Sequence, residues 1–351
     1  MNTEINTIFC LVSRQPLANV LPVLMFKPKN VILFATPEEK KCADNLEKLF
    51  RAKKIITIRK DGLDAYDYIG FKNIVKQELL KQKNMTILNV TAGTKLMALA
   101  AYEVFKEKKK PIIYCNTERN QIIHLSPYIY TEPLKLELTI EDYLKSHGYK
   151  VVQTGSQTVR REYFELFEIL ESKNLLKKFS NYLDFYRRNQ GWQNKAFKTY
   201  VDKKDKIFTF QRTTTGNFLY VNDYKIKLED DEFLKGKWLE YFTYYLLIKK
   251  GLNPELGVKI TYENNVENEI DVIFLKNHQL HLISCKSGKQ SDVNKSIYEI
   301  ETLRNIAGGT YGKAFLLTTN PLNLKIKQRA EALHVKTLTF ENLNIKELID
   351  G

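Results

Sequence analysis

Short apolar runs alternate with longer amphipathic segments over the first 125 residues of the chain. The short runs predict strands, and the longer segments, in which apolar residues recur every three or four positions, predict helices. The predicted strands cover residues 5–12, 31–35, 54–58, 85–90, 112–115 and 121–125, and the predicted helices residues 17–26, 37–52, 66–81 and 95–108. This alternation indicates an α/β domain with a parallel, doubly wound sheet, which binds ligands beyond the carboxyl ends of its strands.

Two loops at that predicted edge are chemically distinctive. Ser13, Arg14 and Gln15 follow the first strand. The loop after the fourth strand opens a helix and contains Asn89, Thr91, Ala92, Gly93, Thr94 and Lys95. Small residues let the backbone approach a ligand, and the free N–H groups of a helix N-terminus suit a phosphate. An ordinary turn capped by threonine is the alternative for the second loop alone; its pairing with Arg14 favours a phosphate-bearing ligand.

Neither loop carries a standard nucleotide-binding motif. The second loop lacks the glycine spacing and the Gly-Lys-Ser/Thr ending of a Walker A sequence. No G-x-G-x-x-G follows the first strand, which argues against a NAD site.

The pattern changes after Pro127. A helix with Thr139 as its N-cap, a long helical segment over 159–188 and strands within 206–228 are predicted. Residues 160–206 are basic with interleaved aromatic side chains, a combination found in grooves for single-stranded nucleic acid. The alternative, which we favour, is a helical connector whose aromatic residues form its core.

A β-hairpin dominates the last third of the chain. Apolar runs over 269–275 and 280–288 flank a polar turn at 276–279. Alternation along a strand places Glu269 and Asp271 on one face, and Ser284 and Lys286 likewise share a face. Glu240 lies on a helix predicted over 231–250 and points inward, where a carboxylate needs a metal or a cation as partner. The alternatives are a hairpin with solvated ends and a purely structural glutamate.

Carboxylates on a helix and a strand, with a lysine on the next strand, fit metal-dependent hydrolysis of a phosphodiester. Hard carboxylates bind Mg²⁺ or Mn²⁺, and the metal activates water. Asp271 is expected to be the central metal ligand, with Glu240 and Glu269 assisting. Lys286 would orient the water or stabilise charge in the transition state.

Composition adds a partner and a compartment. The 351 residues carry a formal charge of +14, which suggests a polyanionic partner such as nucleic acid. No apolar run approaches the roughly 20 residues that span a bilayer, and the N-terminus lacks the basic segment of a signal peptide. The four cysteines have no paired spacing and fit reduced core positions. We therefore expect a cytoplasmic protein that does not contact a membrane.

Two motifs carry a resemblance to known families. The order Glu240, Asp271, then Ser284-Cys285-Lys286 resembles the PD-(D/E)XK nuclease motif. The loop from Asn89 to Ala98 is similar to the ligand loop of CARF domains, the Rossmann-like sensors associated with CRISPR systems. The resemblance implies a CARF-like sensing domain over 1–135, a mainly helical or winged linker region over 136–215, and a restriction-endonuclease-like α/β domain over 216–351.

The resemblance also implies partners and a mode of control. CARF-fused nucleases of type III CRISPR antiviral defence are homodimers that bind a cyclic oligoadenylate, usually cyclic tetra-adenylate, across their two-fold axis. Occupancy switches on cleavage of DNA, RNA or both. The residues by themselves had indicated an anionic ligand and a metal site, not a cyclic nucleotide.

One position departs from the nuclease pattern, because Ser284 stands where the motif has a carboxylate. Glu269 or Glu240 could substitute, or Asp271 could hold the metal with the main-chain carbonyl of Cys285 and waters. A degenerate nuclease that acts only as a sensor and binds nucleic acid is therefore the alternative function. A CARF site that hydrolyses its own activator through Arg14 and Lys95 is a third hypothesis, although no general base is evident. His278 and His281 are expected to be surface and packing residues.

Overall fold

The computed structural model describes residues 4–156, 159–188, 199–201, 207–228, 232–262, 267–287, 293–343 and 345–350. The strands in these ranges form three sheets, of seven, four and six strands. Part of the basic segment predicted over 160–206 and the last residue of the predicted hairpin, Gly288, lie outside the described residues.

The first sheet is the parallel, doubly wound sheet that the sequence predicted. Its strands are β1 (Thr7–Leu11), β2 (Asn30–Phe34), β3 (Ile56–Lys60), β4 (Thr86–Asn89), β5 (Ile112–Asn116), β6 (Gln121–Ser126) and β7 (Tyr130–Pro133). They lie in the order β3-β2-β1-β4-β5-β6-β7, parallel from β1 to β5 and antiparallel at β6 and β7. The strand order reverses between β1 and β4, so the two distinctive loops follow the two strands at the reversal.

Helices cover both faces of this sheet. They are α1 (Leu17–Phe26), α2 (Lys40–Ala52), α3 (Tyr68–Leu80), α4 (Lys95–Glu107) and, after the last strand, α5 (Ile140–Ser146). The helices α3 and α4 bury apolar side chains on one face, and α1, α2 and α5 on the other. Thr139 caps α5 as predicted, because its hydroxyl accepts the N–H of Asp142 at 3.0 Å.

The segment after α5 adds one strand to the third sheet and two helices to the fold. The strand β8 (Lys150–Gln153) joins the third sheet, and two helices follow, α6 (Arg161–Ser172) and α7 (Leu176–Arg188). The helical segment predicted over 159–188 is present as these two helices, which are separated where Asn174 adopts a left-handed conformation with φ 54°. The domain limits proposed at residues 135 and 215 stay predictions. Helix α5 lies after the first limit and still packs on the first sheet, whereas β8 pairs in the third.

The second sheet is antiparallel and packs on these helices. Its strands are β9 (Thr199–Val201), β10 (Phe208–Thr213), β11 (Gly216–Val221) and β12 (Tyr224–Leu228), in the order β12-β11-β10-β9. Tyr163, Phe167 and Phe179 are buried in one core with strand residues of this sheet. The prediction that aromatic residues of this segment form a core is therefore confirmed for these three, and the core they join also includes side chains of the third sheet.

The third sheet carries the predicted hairpin. In chain order the elements are α8 (Trp238–Lys249), β13 (Glu255–Thr261), β14 (Glu267–Lys276), β15 (Gln279–Lys286), α9 (Val293–Ala307), β16 (Lys313–Thr318), α10 (Leu324–Ala332), β17 (Val335–Thr339) and α11 (Ile345–Asp350). The strand order is β17-β16-β15-β14-β13-β8, with β15, β16 and β17 parallel. The turn between β14 and β15 is tighter than predicted, because only Asn277 and His278 separate the strands and both have positive φ.

One apolar core is shared by the first and third sheets. Leu46 of α2, Tyr143 of α5, Ile260 of β13 and Ile300 of α9 belong to the same buried cluster. The two sheets are thus joined by packed side chains rather than by a linker alone. No helix in the described ranges is long and apolar enough to cross a membrane.

Candidate functional sites

A cavity of about 760 Å³ lies at the carboxyl ends of the first four strands. Ser13, Arg14, Gln15, Gly93 and Thr94 line it, all of them predicted ligand residues. The loops over 36–39 and 62–66, which follow β2 and β3, line it as well. The prediction had not named these two loops, although carboxyl ends of parallel strands share one edge of a sheet and their position followed from the topology.

Gly93 lets the second loop pass close to β1. Its φ is 81°, and a Cβ at this position would lie 2.7 Å from Cβ of Leu11. Thr94 is the N-cap of α4, because its hydroxyl accepts the N–H of Met97 at 3.2 Å and donates to the carbonyl of Ala65 at 3.1 Å. The start of α4 is thereby held at the cavity.

The cavity wall carries both signs of charge. The Arg14 side chain is 85% exposed, and its Nε lies 3.6 Å from a carboxylate oxygen of Glu39. Burial raises the pKa of Glu39, while Arg14 acts in the opposite direction. Glu38 and Asp64 also line the cavity. An anionic ligand would therefore have to draw Arg14 away from Glu39.

The other four predicted ligand residues do not line the cavity. Asn89 is buried, and its amide nitrogen donates to the carbonyl of Ala18 at 2.8 Å and to Oδ1 of Asn19 at 2.9 Å. Thr91 accepts the N–H of Cys115 at 2.7 Å. Ala92 is buried and Lys95 is exposed outside the lining residues. Asn89 and Thr91 thus hold the loop in place through these hydrogen bonds.

The second site forms where β14 and β15 separate. Their ladder ends at the pair Val272–Ile283. Beyond it, Oδ2 of Asp271 accepts the main-chain N–H of Cys285 at 2.7 Å and the hydroxyl of Ser284 at 3.2 Å. Nζ of Lys286 lies 3.6 Å from the same oxygen. The predicted convergence of Asp271 and Lys286 at one strand end is therefore present.

Glu240 completes this site from the first turn of α8. Burial and the neighbouring Asp271 carboxylate raise the pKa of Glu240 to about 8, although Lys237 and Lys286 act in the opposite direction. Burial is the larger cause of this rise, and repulsion from the Asp271 carboxylate adds to it. Lys237, which the sequence interpretation did not name, precedes α8 and contributes to the field at Glu240.

Glu269 and Cys285 have more peripheral places. Glu269 is exposed at the mouth of the site, opposite Lys259 of β13, and adds to the field that raises the pKa of Glu240. The thiol of Cys285 is buried, 3.6 Å from the hydroxyl of Thr243, and its pKa lies well above the usual value because of that burial. Only the main chain of Cys285 reaches the site; its carbonyl points to the same side of β15 as its N–H.

The donor set fits one hard divalent cation with few protein ligands. No group of three or more His, Cys, Asp or Glu side chains that could hold a metal occurs within the described ranges. Ser284, where the nuclease pattern has a carboxylate, hydrogen-bonds Asp271 instead. Two carboxylates and a main-chain carbonyl remain, and an added cation would favour the ionised form of Glu240, which burial and the Asp271 carboxylate disfavour.

The predicted roles of the two histidines in the hairpin are met only in part. His281 is fully buried between the rings of Phe274 and Phe315, as a packing residue should be. His278 is not a free surface residue, because its Nδ1 lies 2.6 Å from Oδ1 of Asn120 in the first sheet's β5–β6 turn.

Comparison with solved structures gives full-length neighbours. Can2 from Sulfobacillus thermosulfidooxidans in complex with cyclic tetra-adenylate is 27% identical, with a TM-score of 0.73 and 95% of each chain covered. Protein VC1899 from Vibrio cholerae is 20% identical, with a TM-score of 0.76 over 98% of this chain and 95% of that one. A type III CRISPR defence DNA nuclease activated by cyclic oligoadenylate is 17% identical, with a TM-score of 0.63. This chain is covered completely in that match, but spans only 52% of the nuclease. The last two likenesses concern the fold alone.

Comparison with protein families finds a matching domain family at each end of the chain. A search of curated proteins found no match. Residues 7–143 match the family described as Card1 CARF domain, and residues 228–350 match the family described as Card1-like, endonuclease domain. The cavity at the reversal of strand order lies in the first of these regions and the Glu240–Asp271–Lys286 site in the second. The predicted fold class is therefore confirmed, and the chain joins an N-terminal Card1 CARF domain to a C-terminal Card1-like endonuclease domain.

Proposed function

We propose that this protein is a metal-dependent nuclease of type III CRISPR defence that a cyclic oligoadenylate, in the first instance cyclic tetra-adenylate, switches on. The observation that carries the proposal is the position of Asp271, held by the Cys285 N–H, with Lys286 at 3.6 Å and Glu240 beside it. The substrate is nucleic acid, DNA or RNA or both, in keeping with the charge of +14.

The chain's own groups divide the work at the nuclease site. Asp271 and Glu240, with the carbonyl of Cys285, would hold Mg²⁺ or Mn²⁺, and Glu269 would assist from the mouth of the site. When bound, that ion would stabilise charge on the scissile phosphate and activate water. The Cys285 N–H and the Ser284 hydroxyl orient the Asp271 carboxylate. The Lys286 ammonium stabilises the negative charge that develops on the phosphate or orients the attacking water.

The sensor site supports the choice of activator. Can2, with 27% identity over almost the whole chain, was solved with cyclic tetra-adenylate. In this chain, Ser13, Arg14, Gln15, Gly93 and Thr94 would contact the ligand, and Asn89, Thr91 and Ala92 would support their loop, with Lys95 at its rim. The outer faces of α3 and α4 expose Ile69, Leu96 and Leu99, apolar area that a second copy would cover in a homodimer.

The test is a cleavage assay with labelled DNA and RNA in Mn²⁺ or Mg²⁺, with and without cyclic tetra-adenylate. We expect cleavage that requires both the metal and the activator. Lys286→Ala should lower the activated rate by roughly 10²–10³, because the transition state loses a charge-stabilising donor. Asp271→Asn should remove metal-dependent cleavage altogether.

Lys336→Ala is the matched control for the lysine variant. Lys336 lies on β17 of the same sheet, with 41% of its side chain exposed against 36% for Lys286, and pairs with Glu347. An unchanged rate in Lys286→Ala, with Lys336→Ala also unchanged, would show that the site assignment is wrong.

A second function has one observation in its favour. Ser284 replaces a carboxylate and only donates a hydrogen bond to Asp271. A chain that senses cyclic oligoadenylate and binds nucleic acid without cutting it would tolerate this change. Tight binding of the activator and of nucleic acid with no cleavage in Mn²⁺ or Mg²⁺ would support that function.

A further inference from the structure

The helix that carries Glu240 is broken one turn before this residue. Phe233–Lys237 forms a single wide π-turn, and Gly236 leaves helical geometry with φ 167° and ψ −28°. Helix α8 then begins at Trp238. A break of this kind frees main-chain carbonyls that a continuous helix would use, and such carbonyls need other donors.

The break fits closely against the end of β15. A Cβ on Gly236 would lie 2.6 Å from the hydroxyl oxygen of Ser287. Ser287 directly follows Lys286, and Gly236 stands four residues before Glu240. The approach of these two backbones therefore brings the helix end of the site to the strand end.

The guanidinium of Arg187, from the end of α7, occupies this junction. Its Nη1 donates to the carbonyl of Lys235 at 3.0 Å, to the hydroxyl of Ser287 at 2.9 Å, and to the carbonyl of Ser287. Its Nη2 pairs with Asp184 of the same helix, and only 15% of the side chain is exposed. The planar fork of arginine can serve several acceptors in fixed directions, which a lysine ammonium cannot do in the same way.

We propose that Arg187 is a positioning residue for the nuclease site, which ties the broken helix before Glu240 to the strand end after Lys286. This inference rests on the proposed metal-dependent function of the same site. Arg187 touches neither Glu240 nor Asp271 in the contacts described above; it sets the separation of the two elements that carry the metal ligands and the lysine. The connector thereby becomes part of the active site, rather than a spacer between sensor and nuclease.

The experiment measures Mn²⁺ binding directly, by calorimetry or by the spin-resonance signal of free Mn²⁺, without nucleic acid. Arg187→Ala should weaken binding by about 10–100-fold, the range found when groups that orient metal ligands are removed. Arg187→Lys should restore only part of the loss, because it keeps the charge but not the fork. Gly236→Ala should weaken binding as well, because its new Cβ displaces the Ser287 hydroxyl from Arg187.

Arg161→Ala is the matched control. Arg161 belongs to the same connector, on α6, with 90% of its side chain exposed and a surface pair with Glu165. It should bind Mn²⁺ as the wild type does. A purely structural role would lower the melting temperature of the Arg187 variants and leave the Mn²⁺ affinity of the folded protein unchanged.

The outcomes separate this inference from the function on which it rests. Wild-type Mn²⁺ affinity in both Arg187→Ala and Gly236→Ala would overturn the positioning role, even if Asp271→Asn abolishes Mn²⁺ binding. Mn²⁺ binding that survives in Asp271→Asn would instead overturn the metal site itself. A folded Gly236→Ala variant keeps the test decisive if Arg187→Ala does not fold.

Discussion

Glu240 shows how one residue can be costly to the fold and useful to the site. The folded state disfavours the ionised form of this carboxyl beside Asp271, since its pKa rises to about 8 from an ordinary value of 4.5. A surface helix would put a glutamate in water, whereas this one points to a second carboxylate and two lysines. Such an arrangement is typical of a position selected for a cation or for proton transfer rather than for stability.

This leads to a prediction about pH and stability in metal-free protein. A carboxyl whose pKa is higher in the folded state than in the unfolded state binds more protons when folded, so its contribution to stability falls as pH rises from about 4.5 to about 8. Glu240→Gln cannot ionise and escapes this loss. In chelator-treated protein the variant should therefore match the wild type at pH 4.5 and melt at least about 2 °C higher at pH 8.5.

Thermal melts across this pH range test the prediction. Glu299→Gln serves as the control, because Glu299 lies on α9 with 54% of its side chain exposed, in a surface pair with Lys295. The control should follow the wild type throughout. A difference between Glu240→Gln and wild type that is constant with pH would contradict the assignment of the raised pKa.

At the scale of elements, the pattern of apolar and polar residues predicts well the elements that depend on residues close together in the sequence. Helix α4 begins at Lys95 with Thr94 as its cap, and the hairpin of β14 and β15 lies where two apolar runs flank a polar turn. The strand β13 was missed although Leu256, Val258 and Ile260 alternate as buried residues along it. That signal was present in the sequence.

Other features of the elements have no local signal. The pairing of β8 with β13 and the contacts of Arg187 with Ser287 join residues about a hundred positions apart. The break at Gly236 likewise lies against the side chain of Ser287, a residue far along the sequence. Propensity and periodicity describe a segment alone, so they cannot reveal contacts that only the folded chain creates. The candidate residues of the nuclease site could be named from sequence, but not the groups that hold them.

The loop between β4 and α4 allows a prediction at this scale. Gly93→Ala should destabilise the protein by about 1–3 kcal/mol, because the new Cβ meets Leu11 at 2.7 Å and the backbone is left-handed. It should also weaken binding of cyclic tetra-adenylate, since the loop must move away from β1. Chemical unfolding and a ligand-binding titration measure the two effects.

Gly251→Ala separates the clash from the backbone strain. Gly251 has φ 74°, and a Cβ there would meet nothing within 4 Å. It should cost only the left-handed strain, roughly 1–2 kcal/mol, and leave ligand binding unchanged. Equal stability losses in the two variants, with equal ligand affinity, would show that the close approach of Gly93 to Leu11 is unimportant.

At the scale of the whole molecule, sensor and nuclease also meet outside their shared core, and two of these contacts among the described residues involve elements of the proposed sites. The hydroxyl of Tyr143 in α5 donates to the carbonyl of Gly308, just after α9, at 2.7 Å. A Cβ on the adjacent Gly309 would lie 3.4 Å from Oε1 of Gln15, a residue that lines the sensor cavity. The loop after β1 therefore lies close to the nuclease domain at this point.

The second of these contacts is at the turn of the hairpin that carries Asp271 and Lys286. His278 contacts Asn120 through Nδ1, and its Nε2 lies 3.3 Å from the carbonyl of Leu136. Burial lowers the pKa of His278, although the hydrogen bond to the carbonyl of Leu136 acts in the opposite direction. The same two strands carry Asp271 and Lys286 at their other end. One hairpin thus spans from the sensor domain to the proposed metal site.

Loss of this contact should weaken the coupling between activator and cleavage. His278→Ala leaves every proposed metal ligand in place, but it removes the side chain that joins the hairpin to Asn120. Coupling changes of about 0.5–2 kcal/mol are usual for such positions, so the stimulation of cleavage by cyclic tetra-adenylate should fall by roughly 2–30-fold.

His334→Ala is the control, because His334 is an exposed turn residue of the nuclease domain with φ 54°, close to the 61° of His278. Both alanines bear the same left-handed strain, and only the first loses a bond to the sensor. Cleavage rates measured with and without the activator decide the matter: equal stimulation in the two variants would mean that the signal reaches the nuclease by another route, with the contact of Gln15 and Gly309 as the next to be tested.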